Sequence, residues 1–474
     1  MSNLATHICT MLSANVTELH LWAPRENFPL LDPTALGALA TAIASLTRLQ
    51  RITLSLTGHT ASLQCFAAIM DAYAQREAAR CPREMTIFAN NSIQGIGALL
   101  ASRSAVHLQD LHVDLNQLDY QTATNLAQGL SSASSSVTSL SLNIWGAEDS
   151  AIHLLHQFLW QETTLQKLRL EGPAFGLQCS RLARQILHKP SLKSLHLNCV
   201  EEQDDDAFVR AIGEGLDENR SLLGLELPLF ATSRQSDIRP LLASLHGPSA
   251  RLEHLTLHFE DITSQSQDSL CHLLADSTCP LKTLDLRGTP GAKLVPSRIL
   301  DAVKNNSKLM SLSLYMTGAS DYSCFEQLVP FLPSVLHLRN LTVHVRGLPH
   351  FIHPPSDLKT RLQKALLANT SLECLDMSPL LTRRDIDENS ELQQVLQCNK
   401  VAHAARAISS GTLSLAALPP AIAALQRDVR RSQTQPYVNT LVFHSLCRNP
   451  HAFGELVREY LLSPSSSVTM DEGV

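Results

Sequence analysis

Asp110, His112 and Asp114 alternate along one short segment, so in an extended chain their side chains share a face and could be offered to a metal ion. Such a linear triplet spans about 13 Å, too far for one tetrahedral centre without help from neighbouring segments. His254 and His258, with His196 and Glu226 from other segments, make a histidine-rich set that reads as a polar lining sensitive to pH. The acidic run Glu201, Glu202, Asp204, Asp205 and Asp206 precedes a helical pattern, where negative charge complements the helix dipole. No Ser–His–Asp spacing, phosphate-binding glycine loop or HExxH motif occurs. These residue types predict a protein that is not an enzyme and uses no metal and no cofactor.

The elements that must carry these residues are repeats. A motif of the form apolar-x-x-apolar-x-apolar recurs from Leu108/Leu111/Val113 through Val137/Leu140/Leu142 and Leu165/Leu168/Leu170 to Leu372/Leu375/Met377. First positions of successive copies lie 27 to 34 residues apart. Upstream copies occur at Val16/Leu19/Leu21 and Leu49/Ile52/Leu54, with a degenerate one near Met85 and Ile87, for about 13 units in all. Between motifs, 122–130, 180–187, 206–216, 297–303 and 358–367 show helical apolar spacing, so each unit is a strand followed by a helix turned onto the sheet. Asn219, Asn306 and Asn369 stand three residues before the next motif, where Asn can adopt the left-handed conformation that ends a helix.

A strand backed by a wider helix cannot stack flat. The expected fold is an α/β leucine-rich repeat solenoid, a horseshoe with a concave parallel sheet, convex helices and a C-terminal helical cap. Over 16–377 the pattern resembles the ribonuclease-inhibitor type of leucine-rich repeat protein. It departs from that type three residues after the last motif position, where Asn or Cys is usual. Asn90 and Asn116 fit, whereas Trp145, Pro173, Phe230 and Arg346 do not. Because side chains alternate along a strand, the x residues flanking the middle apolar position form the concave surface. They are polar and of both signs, which suits a protein partner better than a lipid or an apolar small molecule. The candidate partner-binding residues are Trp22, Arg51, His112, Arg169, Glu226, His254, His258, Arg287 and Tyr315, with Trp22, Arg169, Arg287 and Tyr315 as the foremost anchors. Cys374 and Asp376 form a Cys-x-Asp sequence that resembles the catalytic motif of bacterial leucine-rich repeat ubiquitin ligases, but it falls inside a repeat strand rather than in a helical domain.

Composition bounds the rest. The chain has 474 residues, 44% hydrophobic, 17% charged and with net charge −6, ample for a continuous core and without the basic excess that phosphate binding demands. No nucleic acid and no membrane span are expected. The 11 cysteines are scattered singly with no CxxC pair, which favours a reducing compartment, and the N-terminus does not read as a Sec signal. The expected layout is a solenoid over 1–380, a capping helix over 381–408, a small helical extension over 409–462 and a disordered tail over 463–474. Within the extension, SLAALPPAIAALQRDV is similar to the start of an F-box, which implies a substrate-recognition adaptor of a ubiquitin ligase as the alternative function. The Ala-, Ser- and His-rich loops and helices resemble leucine-rich repeat effectors that bacteria deliver into host cells. That resemblance implies a cytoplasmic site of action after secretion, with a role in virulence.

Overall fold

The computed structural model describes residues 17–23, 48–56, 83–89, 96, 100 and, with short breaks, 108–380, together with 395, 396, 399, 400 and 403. The proposed extension over 409–462 and the tail over 463–474 lie outside the described residues. The fold is an α/β leucine-rich repeat solenoid, and its residues group into two compact units, Met1–Leu273 with Thr278–Leu281, and Leu274–Ser277 with Lys282–Val474.

Among the described residues of the first unit, nine strands follow in chain order: β1 Glu18–Ala23, β2 Arg51–Leu56, β3 Glu84–Ala89, β4 Asp110–Leu115, β5 Ser139–Ile144, β6 Lys167–Glu171, β7 Ser194–Asn198, β8 Gly224–Leu229 and β9 His254–Phe259. Each pairs in parallel with the next, and motif positions meet in register, as Leu111↔Leu140 and Leu140↔Leu168. The second unit repeats this with β10 Thr283–Pro290, β11 Ser311–Thr317, β12 Asn340–Arg346 and β13 Cys374–Asp376. Parallel neighbours need a crossover of a dozen residues or more. The described helices supply it: α1 Tyr120–Ala133, α2 Asp149–Gln161, α3 Cys179–Leu187, α4 Asp205–Glu218, α5 Arg239–Ser244, α6 Ser264–Ala275, α7 Pro296–Lys304, α8 Ser323–Leu328 and α9 Leu358–Leu367.

The core is the inward set of every strand packed under the apolar stripe of the helices. Along β4 and β5 burial alternates strictly, and Val113, Leu140, Leu142, Leu170, Leu195 and Leu197 are fully enclosed. From the helices come Leu126, Leu155, Ala183, Ile212 and Ile299, also fully enclosed. Two helices, α5 and α8, are only six residues long, so their repeats rely on the flanking turns, where Ile238 and Leu332 are buried.

The asparagines three residues before a motif bond to backbone groups of their own repeat and of the preceding one. Asn306, 1% exposed, donates Nδ2 to the Leu274 carbonyl at 2.9 Å and accepts the Lys308 and Leu309 amides at 2.8 Å each. Asn369 donates to the Leu332 carbonyl at 2.5 Å and accepts Ser371 N and Leu372 N at 2.8 Å. Asn219 likewise donates to Leu187 and Lys189 and accepts Ser221 N and Leu222 N. Each side chain therefore satisfies backbone groups that a tight turn leaves orphaned and ties its repeat to the preceding one. The series continues past the last strand: Asn399, in a helical stretch, donates to the Asn369 and Leu372 carbonyls at 3.3 and 2.8 Å. His403 Nε2 lies 3.0 Å from the Ser371 carbonyl.

Gly172, directly after β6, has φ 104°, and an added Cβ would lie 2.0 Å from the Ile144 carbonyl oxygen. Only glycine fits this turn.

Candidate protein-binding surface

The outward residues of the strands form three rows, set by the register. The first row of the opening strands is Glu18, Arg51 and Glu84, and Arg51 bridges the other two at 2.8 Å through Nη1 and 2.6 Å through Nε. Both carboxylates raise the Arg51 pKa, Glu84 more than Glu18. These side chains are roughly half exposed, so the bridge orients them more than it stabilises the fold. Trp22 lies in β1 opposite Ser55, and its side chain falls outside the described residues.

On β4, His112 is half-buried with Nδ1 2.7 Å from Ser141 Oγ, and Phe88 meets its ring edge-on at 5.9 Å. Burial lowers the pKa of the His112 ring, with Asp114 opposing. Asp114 accepts a hydrogen bond from Asn143 at 3.2 Å. Two of the three residues read as a potential ligand triplet thus bond to β5, and among the described residues no three His, Cys, Asp or Glu side chains are grouped as metal ligands.

The densest network crosses β6 to β9. Glu171 Oε1 accepts Arg169 Nε at 2.9 Å and lies 3.0 Å from His196 Nε2. The other nitrogen of His196 sits 2.7 Å from Glu226 Oε2, and His258 Nε2 lies 3.1 Å from Glu226 Oε1. The His196 ring, and after it the His258 ring, hold the Glu226 carboxyl well below the usual carboxylate range against the opposing effect of burial. Burial also pushes Glu171 up, but the contacts of Arg169 and His196 together outweigh it and leave it lowered. Of the histidine set read from the sequence, His196, Glu226 and His258 come together. His254 stands in the first row, exposed and in register with Gly224.

In the second unit Asp285, Arg287, Tyr315, His344 and Asp376 make one stripe. Asp285 Oδ2 accepts Arg287 Nε at 3.0 Å and Nη2 at 2.8 Å. The guanidinium sits over the Tyr315 ring at 5.5 Å, and the Tyr315 ring stacks on His344 at 4.8 Å and 8°. His344 Nε2 is 3.6 Å from Asp376. Three planar groups from successive strands are thereby held side by side. Cys374 is exposed and unbridged on β13, while the Asp376 beside it is engaged by His344.

Glu171, His196, Asp285, His344 and Asp376 belong to these networks and are absent from the candidate set. The signal for them is the register itself, since each sits in the same row as a candidate or in the row beside it. A further residue, Trp145, reads in the sequence as a break in the Asn pattern. It is 60% exposed at the end of β5.

No protein-family model matches the chain. Pig ribonuclease inhibitor (Sus scrofa) is 30% identical over 215 residues, 44% of this chain and 46% of that protein. The chain spans about half the length of that relative. Among solved structures, the TLR13–ssRNA13 complex matches with a TM-score of 0.32 at 16% identity, over 79% of this chain and 49% of that one. The Toll–Spätzle complex of Drosophila matches with 0.30 at 10% identity, over 76% and 54%. Likeness at that level says nothing about what the chain binds. Among the described residues no helix is long and apolar enough to cross a membrane.

Proposed function

We propose that this chain is a non-catalytic module that binds a protein partner on the outward face of its strands. The observation that carries this reading is the tethering of the outward polar side chains to one another across strands. Arg169–Glu171–His196–Glu226–His258 and Arg287–Tyr315–His344 are held in place before any partner arrives. A surface whose long side chains are already ordered loses less entropy on association, which is what affinity for another macromolecule requires. Arginine, tyrosine and histidine in such rows supply directional and stacking contacts. The partial relative is named for inhibiting a ribonuclease, that is, for acting on another protein, which agrees with this class of function. Delivery by a bacterium into a host cell rests on the compositional resemblance alone.

The test is capture of a partner by the full chain, followed by charge reversal. Arg169→Glu and Arg287→Glu should each weaken binding by roughly tenfold or more, while Arg210→Glu on the exposed side of α4 should leave it unchanged. Equal loss from all three variants, or from none, removes the strand face as the site.

A further inference from the structure

The exposed aromatic side chains of the described residues concentrate in three successive repeats. Phe88 on β3 is 38% exposed, Tyr120 at the start of α1 is 50% exposed and Trp145 after β5 is 60% exposed. The stretch of sequence that carries Tyr120 and Trp145 has charge of one sign. Between Arg103 and Lys167 the sequence contains no lysine or arginine, but it contains Asp110, Asp114, Asp119, Glu148, Asp149 and Glu162.

The loops that carry Tyr120 and Trp145 extend the sheet's pairing beyond the strands. Trp145 N donates to the Leu115 carbonyl at 3.1 Å, Leu118 N to Gly146 O at 2.8 Å and Glu148 N to Leu118 O at 3.1 Å. Leu118 and Ala147 form a parallel bridge, and Leu118 is fully buried beneath it. Gly146 permits the close approach, since a Cβ there would lie 3.3 Å from the Asn116 carbonyl oxygen. The Glu148 carboxylate accepts Tyr120 N at 3.2 Å, and Asp119 accepts Thr122 N at 2.6 Å. Both carboxylates are therefore tied to the backbone of the loops that carry Tyr120 and Trp145. The rings stand at opposite ends of the paired loops, with Asp114 and Asn143 in the last outward row of the strands that lead into them.

Resting on the protein-binding reading above, we infer that this rim, Phe88, Tyr120 and Trp145 among the acidic residues of β4 and the two loops, docks a basic segment of the protein partner. Its arginine or lysine side chains lay their aliphatic stems and cationic heads on the aromatic faces, with the carboxylates supplying the attraction. The sign of the rim selects this occupant, because the described arginines on the neighbouring strands are already engaged, Arg51 by Glu18 and Glu84 and Arg169 by Glu171, whereas the two loops carry carboxylates.

The test uses the full chain carrying Trp22→Phe and Trp160→Phe, so that Trp145 is the one fluorescent tryptophan. Octapeptides of alternating glycine with arginine, lysine or glutamate are titrated. The arginine and lysine peptides should change Trp145 emission in a saturable, salt-weakened manner, and the glutamate peptide should not. In unlabelled competition the arginine peptide should lose roughly tenfold in affinity for Trp145→Ala and for the Asp110→Asn, Asp114→Asn double variant. Equal binding of the glutamate peptide, or unchanged affinity in those variants, overturns the inference. Concentration-dependent self-association abolished by Trp145→Ala would give the rim to a second copy of this chain and overturn it too. With a captured partner, loss of binding in Arg169→Glu and Arg287→Glu but none in Trp145→Ala leaves the strand-face reading standing while this one falls.

Discussion

Asn305 and Asn306 are neighbours of identical chemistry in opposite situations, and replacing each by alanine isolates what the buried asparagines contribute. Asn305 is exposed. Asn306 is 1% exposed and makes three side-chain hydrogen bonds, one to the Leu274 carbonyl and two from the Lys308 and Leu309 amides. Alanine removes all three and leaves one carbonyl and two amides without these partners. At about 1 kcal/mol per bond, plus the penalty for orphaned peptide groups, Asn306→Ala should cost roughly 3–4 kcal/mol. Asn305→Ala should stay within about 0.5 kcal/mol of the parent. Guanidinium unfolding followed by circular dichroism gives the difference, and amide exchange of Lys308 and Leu309 should accelerate in the Asn306 variant alone. If the two variants unfold alike, and those amides exchange at the parent rate, the asparagines are not what joins successive repeats.

Three further perturbations follow from the same geometry. Glu226 is held below its ordinary pKa in the folded chain, so its contribution is present above the unfolded carboxylate value of about 4.3 and is lost as pH falls below it. Glu226→Gln should therefore lower stability by about 1–3 kcal/mol at pH 6 and by progressively less as pH falls below about 4, as read from urea midpoints; a gap independent of pH would refute the ionic role. Gly172→Ala forces a side chain into a left-handed φ and against the Ile144 carbonyl, which should cost about 2–4 kcal/mol, and a thermal midpoint matching the parent would contradict the turn described here. Phe325, on α8, is fully enclosed, so Phe325→Ala should destabilise the second unit by about 3–5 kcal/mol, seen as faster amide exchange of β11 and β12.

The repeat motif places its strands reliably because each copy is a local pattern. Leu140 and Leu142, or Leu195 and Leu197, declare an inward face within four residues, and the alternating partners declare the outward one. What depends on pairing between repeats is less legible. The asparagine at position 306 is visible as a turn residue, yet its Nδ2 bonds a carbonyl 32 residues earlier, which only the register reveals. The contact between His258 and Glu226 likewise spans 32 residues. His254 and His258 share a face in the sequence, but four residues of strand separate them by about 13 Å, so only one reaches the carboxylate. Trp145 stands where the pattern calls for a buried asparagine, so it reads as an irregularity. Its importance becomes visible once the loop is seen to hold the ring out toward solvent.

The central claim is that the outward face of the strands, not the helical side, meets the partner. Hydroxyl-radical footprinting of the full chain with and without captured partner measures this most directly. The account predicts protection of His258, Tyr315 and His344, with unchanged labelling of His153, His188 and Tyr322 on or beside the helices. Protection confined to the helical residues would contradict it.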